Sequence, residues 1–180
     1  IKKKINLPIL CKDFFIDPYQ VYEACLIGAD CILIILKSSS ENLVDELYRA
    51  AMECGLDCII EVHDEDEMNR AIKYKDAIIG INNRNLETFK TDIETTINIF
   101  NKFRLNEKTL ICESGIHSKE DVRYIVEKTK ISNFLIGESL IESKSIYEKM
   151  NEKVPEILDA KEKIKKIYLE LIDLLMEQKE

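Results

Sequence analysis

The chain lacks an excess of basic residues: 26 lysines and arginines stand against 34 aspartates and glutamates, a net charge of −8. That balance predicts neither a nucleic-acid partner nor an anionic membrane surface, although a local cationic patch for one phosphate is compatible with it. Long apolar runs are also missing; they reach about seven residues, far short of the roughly 20 that span a bilayer. No secretory leader pattern is visible in the first residues, so a cytoplasmic location is expected. CxxC pairs are absent. The six cysteines, Cys11, Cys25, Cys31, Cys54, Cys58 and Cys112, are spread along the chain. Four of them fall in apolar runs, where a thiol acts as a small hydrophobe, and reduced, buried thiols are expected in place of a disulfide set or metal site. Finally, no glycine-rich loop follows the first apolar run, as an open doubly wound nucleotide-binding sheet would want.

What is present is a recurring unit. Ile111-Cys112-Glu113-Ser114-Gly115-Ile116 and Phe134-Leu135-Ile136-Gly137-Glu138-Ser139 are short apolar runs that stop at polar residues and a glycine, ahead of helix-like segments. Buried parallel strands read this way when they deliver a functional group at their C-terminal ends. Four more copies lie upstream. Strands are predicted at residues 7–12, 31–36, 58–62, 77–82, 109–113 and 133–137. Asp17 with Pro18 starts the first helix and Gly28 closes it; Ser38-Ser39-Ser40 caps the second, which Gly55 closes near Cys54. Asp64 with Glu67, and Ser118 with Asp121, have capping-box spacing for helices reaching about 74 and 128. Further helices are predicted at 92–102 and 145–150. The alternation implies right-handed crossovers and a parallel sheet. At about 25 residues each, the units have the size of those in an eight-unit barrel of about 250 residues. The fold class is therefore α/β of the (β/α)8 type, here an incomplete barrel of six units. Residues 155–180 differ: Ile157, Leu158, Ile164, Ile167, Leu171, Leu174 and Leu175 recur at helical spacing and predict one long amphipathic helix.

The polar residues that end the strand runs are Lys12, Glu61, Asn82, Glu113, Ser114 and the Gly137-Glu138 turn. In a parallel barrel these share one mouth, where active sites of the fold lie. A lysine and two carboxylates converging there tune one another for acid–base work. Amides around Gly115 and at Gly137-Glu138-Ser139 suit a phosphate. His63 and His117 read as a loop histidine and a surface histidine. Phe14 and Phe15 read as core, gate or substrate contact.

Five segments then resemble one family in the same order: Pro8-Ile9-Leu10-Cys11-Lys12-Asp13-Phe14-Phe15-Ile16-Asp17-Pro18-Tyr19-Gln20, Ile60-Glu61-Val62-His63, Gly80-Ile81-Asn82-Asn83-Arg84-Asn85-Leu86, Glu113-Ser114-Gly115-Ile116 and Gly137-Glu138-Ser139-Leu140. They are similar to motifs of indole-3-glycerol phosphate synthase, over roughly residues 1–148. The resemblance implies a (β/α)8 barrel of tryptophan biosynthesis. Such an enzyme closes the indole ring of a carboxyphenylamino-deoxyribulose phosphate, releasing carbon dioxide and water, without cofactor or metal. It implies Lys12 as general acid on the ribulose carbonyl and Glu61 as the carboxylate of the dehydration step. Asn82, Glu113 and Ser114 would position and polarise the substrate. Arg84 and Phe14 would bind or support it. Gly115, Gly137 and Glu138, the last through its backbone amide, would hold the phosphate.

The family's first strand also carries a glutamate and a Lys-x-x-Ser-Pro-Ser motif, and nothing in these residues matches them; Lys2-Lys3-Lys4 is followed by no Ser-Pro. Residues 1–150 are thus expected to be units three to eight, entered inside a longer design, with 151–180 as a C-terminal helix. A truncated barrel acting as a structural or interaction module is the competing reading. Phosphoribosylanthranilate isomerase is another, but it would want a catalytic cysteine after its first strand. Self-association through open strand edges or the terminal helix is expected. The tail around Lys161 and Tyr168 faintly resembles a helical chorismate mutase, though neither residue is the one that family uses.

Overall fold

A computed structural model describes residue 2 and residues 5–103, 105 and 108–141. The predicted helices at 145–150 and 155–180, and with them the 151–180 unit, lie outside the described residues. Six strands form one sheet in sequence order, every neighbouring pair parallel. They are β1 (Leu10–Cys11), β2 (Cys31–Ile35), β3 (Asp57–Val62), β4 (Ile78–Asn82), β5 (Leu110–Glu113) and β6 (Phe134–Leu135). Between them run α1 (Pro18–Leu26), α2 (Glu41–Cys54), α3 (Glu65–Ala71), α4 (Glu94–Phe103) and α5 (Lys119–Thr129), and α6 (Glu138–Ile141) follows β6. A doubly wound sheet reverses its strand order at a switch point. This one never reverses, so each right-handed crossover advances the chain in the same direction and leaves its helix on the same face. The described residues are six units of a (β/α)8-type barrel.

The two faces of the sheet have different jobs. Ile32, Ile34, Ile60, Val62, Ile79, Ile81 and Cys112 point outward and pack with Val21, Leu47, Met68, Ile99 and Ile125 of the helices in one large core. Each such aliphatic, fully buried, is worth about 1.5–3 kcal/mol. The alternate residues point inward. Leu33, Ile35 and Ile59 form a second, smaller cluster with Leu10, Cys31, Ile78, Leu86 and Ile111. Strand periodicity therefore hands Lys12, Glu61, Asn82 and Glu113, two residues beyond inner aliphatics or Gly80, to the interior.

The helix starts follow their sequence signals. Asp17 and Gln20, and Ser118 and Asp121, each close a reciprocal capping box. Ser40 caps α2, and Gly55 ends it at φ 67°, a left-handed position that glycine takes without a Cβ penalty. Differences are local. The first and last strands are shorter than predicted: Pro8 has no N–H to give, and β1 and β6 each pair with one neighbour. α3 stops at Ala71, short of Tyr74. All six cysteines are free; Cys58 and Cys112 are buried, but Cys11, Cys25, Cys31 and Cys54 are only half-buried, which corrects the expectation of buried thiols throughout. No helix among the described residues is long and apolar enough to cross a membrane.

Candidate active site

The strand register sets the site. Glu61 on β3 lies beside Gly80 on β4, and Asn82 beside Glu113 on β5. Glu113 therefore stands one step further along the barrel axis than Glu61. Its side chain leans back over Gly80, where a Cβ would come within 2.0 Å of Glu113 Oε1. Both carboxyls are 1% exposed, so they meet where water cannot screen them. Burial, then the neighbouring charge of Glu61, pushes the Glu113 carboxyl up to about 8. Burial acts the same way on Glu61, but the close approach of the His63 ring, the Asn82 hydrogen bond and the charge of Lys12 outweigh it and hold Glu61 below the usual carboxylate range. The two shifts run in opposite directions, so Glu113 takes up a proton more readily than Glu61.

Asn82 Nδ2 donates to Glu61 Oε1 at 3.0 Å, and Asn82 Oδ1 accepts from the Arg84 N–H at 2.9 Å. One side chain thus aligns the carboxylate and the start of the following loop. Lys12 Nζ sits 3.7 Å from the other oxygen, Glu61 Oε2. The lysine side chain is about half exposed and reaches both the interior and a cleft of about 170 Å3. That cleft is lined by Lys12, Arg84, Ser114, Gly115, Gly137 and Glu138, with His117 on its rim. A larger hollow of about 470 Å3 lies in the helical layer at Tyr48 and Tyr74, away from the strand ends.

The cleft is walled by the ends of β5 and β6. Ser114 has φ 64° and Gly115 φ 72°, two successive left-handed residues that turn the chain sharply off β5. For Ser114 this conformation stores strain, and such strain gathers at functional sites. Asn83 Nδ2 holds the turn by donating to Ser114 O at 3.1 Å, while Asn83 Oδ1 accepts from the N–H and hydroxyl of Thr96. Ser139 donates its hydroxyl to Ile116 O at 2.9 Å and ties the two turns together. Across the cleft the Arg84 guanidinium pairs with the Glu138 carboxylate. Nothing lies within 4 Å of a Cβ built on Gly137.

A family model described as indole-3-glycerol phosphate synthase matches residues 1–152. The chain belongs to the indole-3-glycerol phosphate synthase family. Relatives bearing that name include one from Clostridium kluyveri, 46% identical over 147 residues, 82% of this chain and 54% of its own length. Another, from Bacillus mycoides, is 48% identical over 143 residues, 78% of this chain and 55% of its own. The chain spans about half the length of the curated relatives it matches. A solved monomeric form of a dimeric phosphoribosylanthranilate isomerase from Thermotoga maritima superposes with TM-score 0.55 at 13% identity, over 79% of this chain and 67% of that one. At that identity the likeness concerns the fold alone.

Set against the residues this family suggested from sequence, Lys12, Glu61, Asn82 and Glu113 converge in the interior, and Arg84, Ser114, Gly115, Gly137 and Glu138 converge on the adjoining cleft. Phe14 stands apart, 59% exposed on the loop after β1, while Phe15 is in the core. His63 lies in the loop between β3 and α3, as read, but its ring is turned into the interior beside Glu61. Its side chain is 9% exposed, with Nδ1 3.0 Å from Glu67 Oε2 and Nε2 3.2 Å from Glu61 Oε1. The first contact is aligned as a hydrogen bond; the second is at ion-pair distance without that alignment. The capping box expected at Asp64 is only half made, because the Glu67 carboxylate turns to the His63 backbone N–H and ring. The sequence signal was a histidine and a glutamate four apart across a helix start. Among the described residues no three His, Cys, Asp or Glu side chains converge as metal ligands would.

Proposed function

We propose that these residues carry the strand-end chemistry of indole-3-glycerol phosphate synthesis: indole ring closure in 1-(2-carboxyphenylamino)-1-deoxyribulose 5-phosphate with loss of carbon dioxide and water. The observation that supports it most is one lysine beside two buried carboxyls whose surroundings push their proton affinities in opposite directions. Environments that drive two carboxyls apart in this way mark acid and base roles. Lys12 gives its proton to the ribulose carbonyl oxygen as the aromatic carbon attacks the carbonyl carbon. A charged ammonium beside a developing alkoxide stabilises the transition state more than the neutral ketone. Glu61, ionised, accepts a proton in the dehydration that follows. Asn82, Glu113 and Ser114 position and polarise the substrate, and Phe14 closes over it.

The phosphate sits at the turns of Gly115 and Gly137-Glu138, bound by backbone amides. Arg84 supports this by neutralising the Glu138 carboxylate, which would otherwise repel the anion. On this reading the reaction runs in the cytoplasm without a cofactor. Calorimetric titration of the purified chain with the carboxyphenylamino-deoxyribulose phosphate, beside a fluorescence assay for the indole product, tests the reading. Saturable binding abolished by inorganic phosphate is the expected result. A chain that neither binds nor turns over this substrate in any form containing these residues would overturn it.

A further inference from the structure

Glu61 presents two oxygens to different surroundings. Oε1 receives the Asn82 amide at 3.0 Å and has His63 Nε2 at 3.2 Å. Oε2 is buried with no hydrogen-bond partner and faces the Lys12 ammonium at 3.7 Å. His63 in turn is fixed from behind. Glu67 Oε2 accepts from the His63 backbone N–H at 2.9 Å and lies 3.0 Å from Nδ1. The imidazole is thus clamped between two carboxylates from two elements, β3 and α3. Glu67 is itself buried at 5% exposure. An ionised carboxylate buried there without a cationic partner would be severely penalised.

The other charges around the imidazole are accounted for. Lys12 faces Glu61 from the end of β1, and Glu113 approaches from β5, its carboxyl pushed up by burial and by Glu61. Arg70 of α3 points elsewhere, donating to the carbonyls of Leu36 and Ser39. β2 presents the apolar Ile35 beside Glu61. Asp64 is occupied in capping α3.

We propose that His63 is a positioning residue for the carboxyl pair: clamped by Glu67, its imidazolium holds Glu61 through Oε1 and presents Oε2, facing Lys12, as the reactive oxygen. The catalytic meaning rests on the function proposed above, whereas the clamp itself does not. The clamp agrees with the direction of the titrations. Burial alone would lower His63, but the nearby Glu61 carboxylate and the hydrogen bond and charge of Glu67 carry it up to about 9.

The chain has two histidines, so imidazole resonances of the histidine-labelled 180-residue protein are assigned with a His117→Gln variant. His63 is expected to stay charged well past neutral pH. In Glu67→Gln its midpoint should fall by about 1–3 pH units, the usual effect of one adjacent opposite charge. That variant keeps an amide oxygen for the His63 N–H, so the start of α3 is retained. In any form with measurable turnover, His63→Gln should move the acid limb of kcat to higher pH with KM little changed. A His63 midpoint near that of free histidine in the unmodified chain, or one that ignores Glu67→Gln, overturns the proposal. Titration as expected without turnover would sink the proposed function and leave the clamp standing.

Discussion

Gly80 is the position where one added methyl tests the site. A Cβ there would lie 2.0 Å from Glu113 Oε1, 3.1 Å from its Cδ and 3.0 Å from Ile59 Cγ2. A carbon and an oxygen in contact need about 3.3 Å, so in Gly80→Ala the carboxyl must retreat by more than an ångström. Ile59 belongs to the inner aliphatic cluster and has little room to move. The expected cost is that of overpacking a core, about 1–3 kcal/mol. For a chain of this size that is a fall of roughly 2–4 °C in Tm per kcal/mol. Displacing Glu113 also separates it from Glu61, so its carboxyl should titrate closer to the ordinary range. Misplacing a reacting group by an ångström removes about 10²-fold in rate. Urea denaturation and a carboxyl-labelled NMR titration read the first two effects, and turnover reads the third. Gly137→Ala is the control, since no atom lies within 4 Å of its Cβ and stability should hold within about 0.5 kcal/mol. If Gly80→Ala left stability and the Glu113 midpoint unchanged, the carboxyl would not lie over Gly80, and the account of the pair would fail.

Lys12→Ala should lower turnover by about 10²–10³ with the fold kept, because the side chain is half exposed and packs no core; near-normal turnover removes it as the acid. Gly137→Val should weaken binding of a sugar phosphate while thermal stability is retained, its side chain entering open space in the cleft; unchanged phosphate affinity argues against this turn. Stability should decline on the alkaline side. Glu113 keeps its proton to about pH 8 when folded against an ordinary 4.5, and His63 to about 9 against 6.5, so the folded state binds the extra protons. Glu113's contribution is full below pH 4.5 and His63's below 6.5, and both fade as pH rises through about 8 and 9. Glu113→Gln should flatten the early part of that fall, and a urea midpoint flat from pH 6.5 to 9 contradicts it. The 180-residue chain should self-associate, since β1 and β6 each leave an unpaired edge among the described residues; a monodisperse monomer by sedimentation rules this out.

The fold was legible because most strand runs stopped at a polar residue and α1, α2, α3 and α5 began at a cap. Periodicity carries much of that information locally, as in Cys31–Ile35 and Asp57–Val62. The short ends β1 and β6 were overestimated, because strand length depends on neighbours that a single run does not reveal. The family motifs grouped Lys12, Glu61, Asn82 and Glu113 in the sequence, and the structure brings these four side chains into one interior. Its electrostatics were not. Nothing in Ile60-Glu61-Val62-His63 tells that the histidine folds back beside the glutamate, since that depends on where Glu67 points after the chain has turned into α3.

Gly80 shows why such a site resists reading residue by residue. In sequence it opens the run Gly80-Ile81-Asn82-Asn83-Arg84 and looks like part of a motif. In the sheet it is an inward position between Glu61 and Ile111, so its neighbours decide its meaning. Any side chain there would fill the space through which Glu113 reaches back. Without that reach the two carboxyls would lie at different depths, each nearer its ordinary proton affinity. The missing side chain at 80 therefore does on β4 what the imidazole at 63 does on β3. One admits Glu113 to the buried interior and the other favours the charged form of Glu61 within it, and only both together drive the two proton affinities apart.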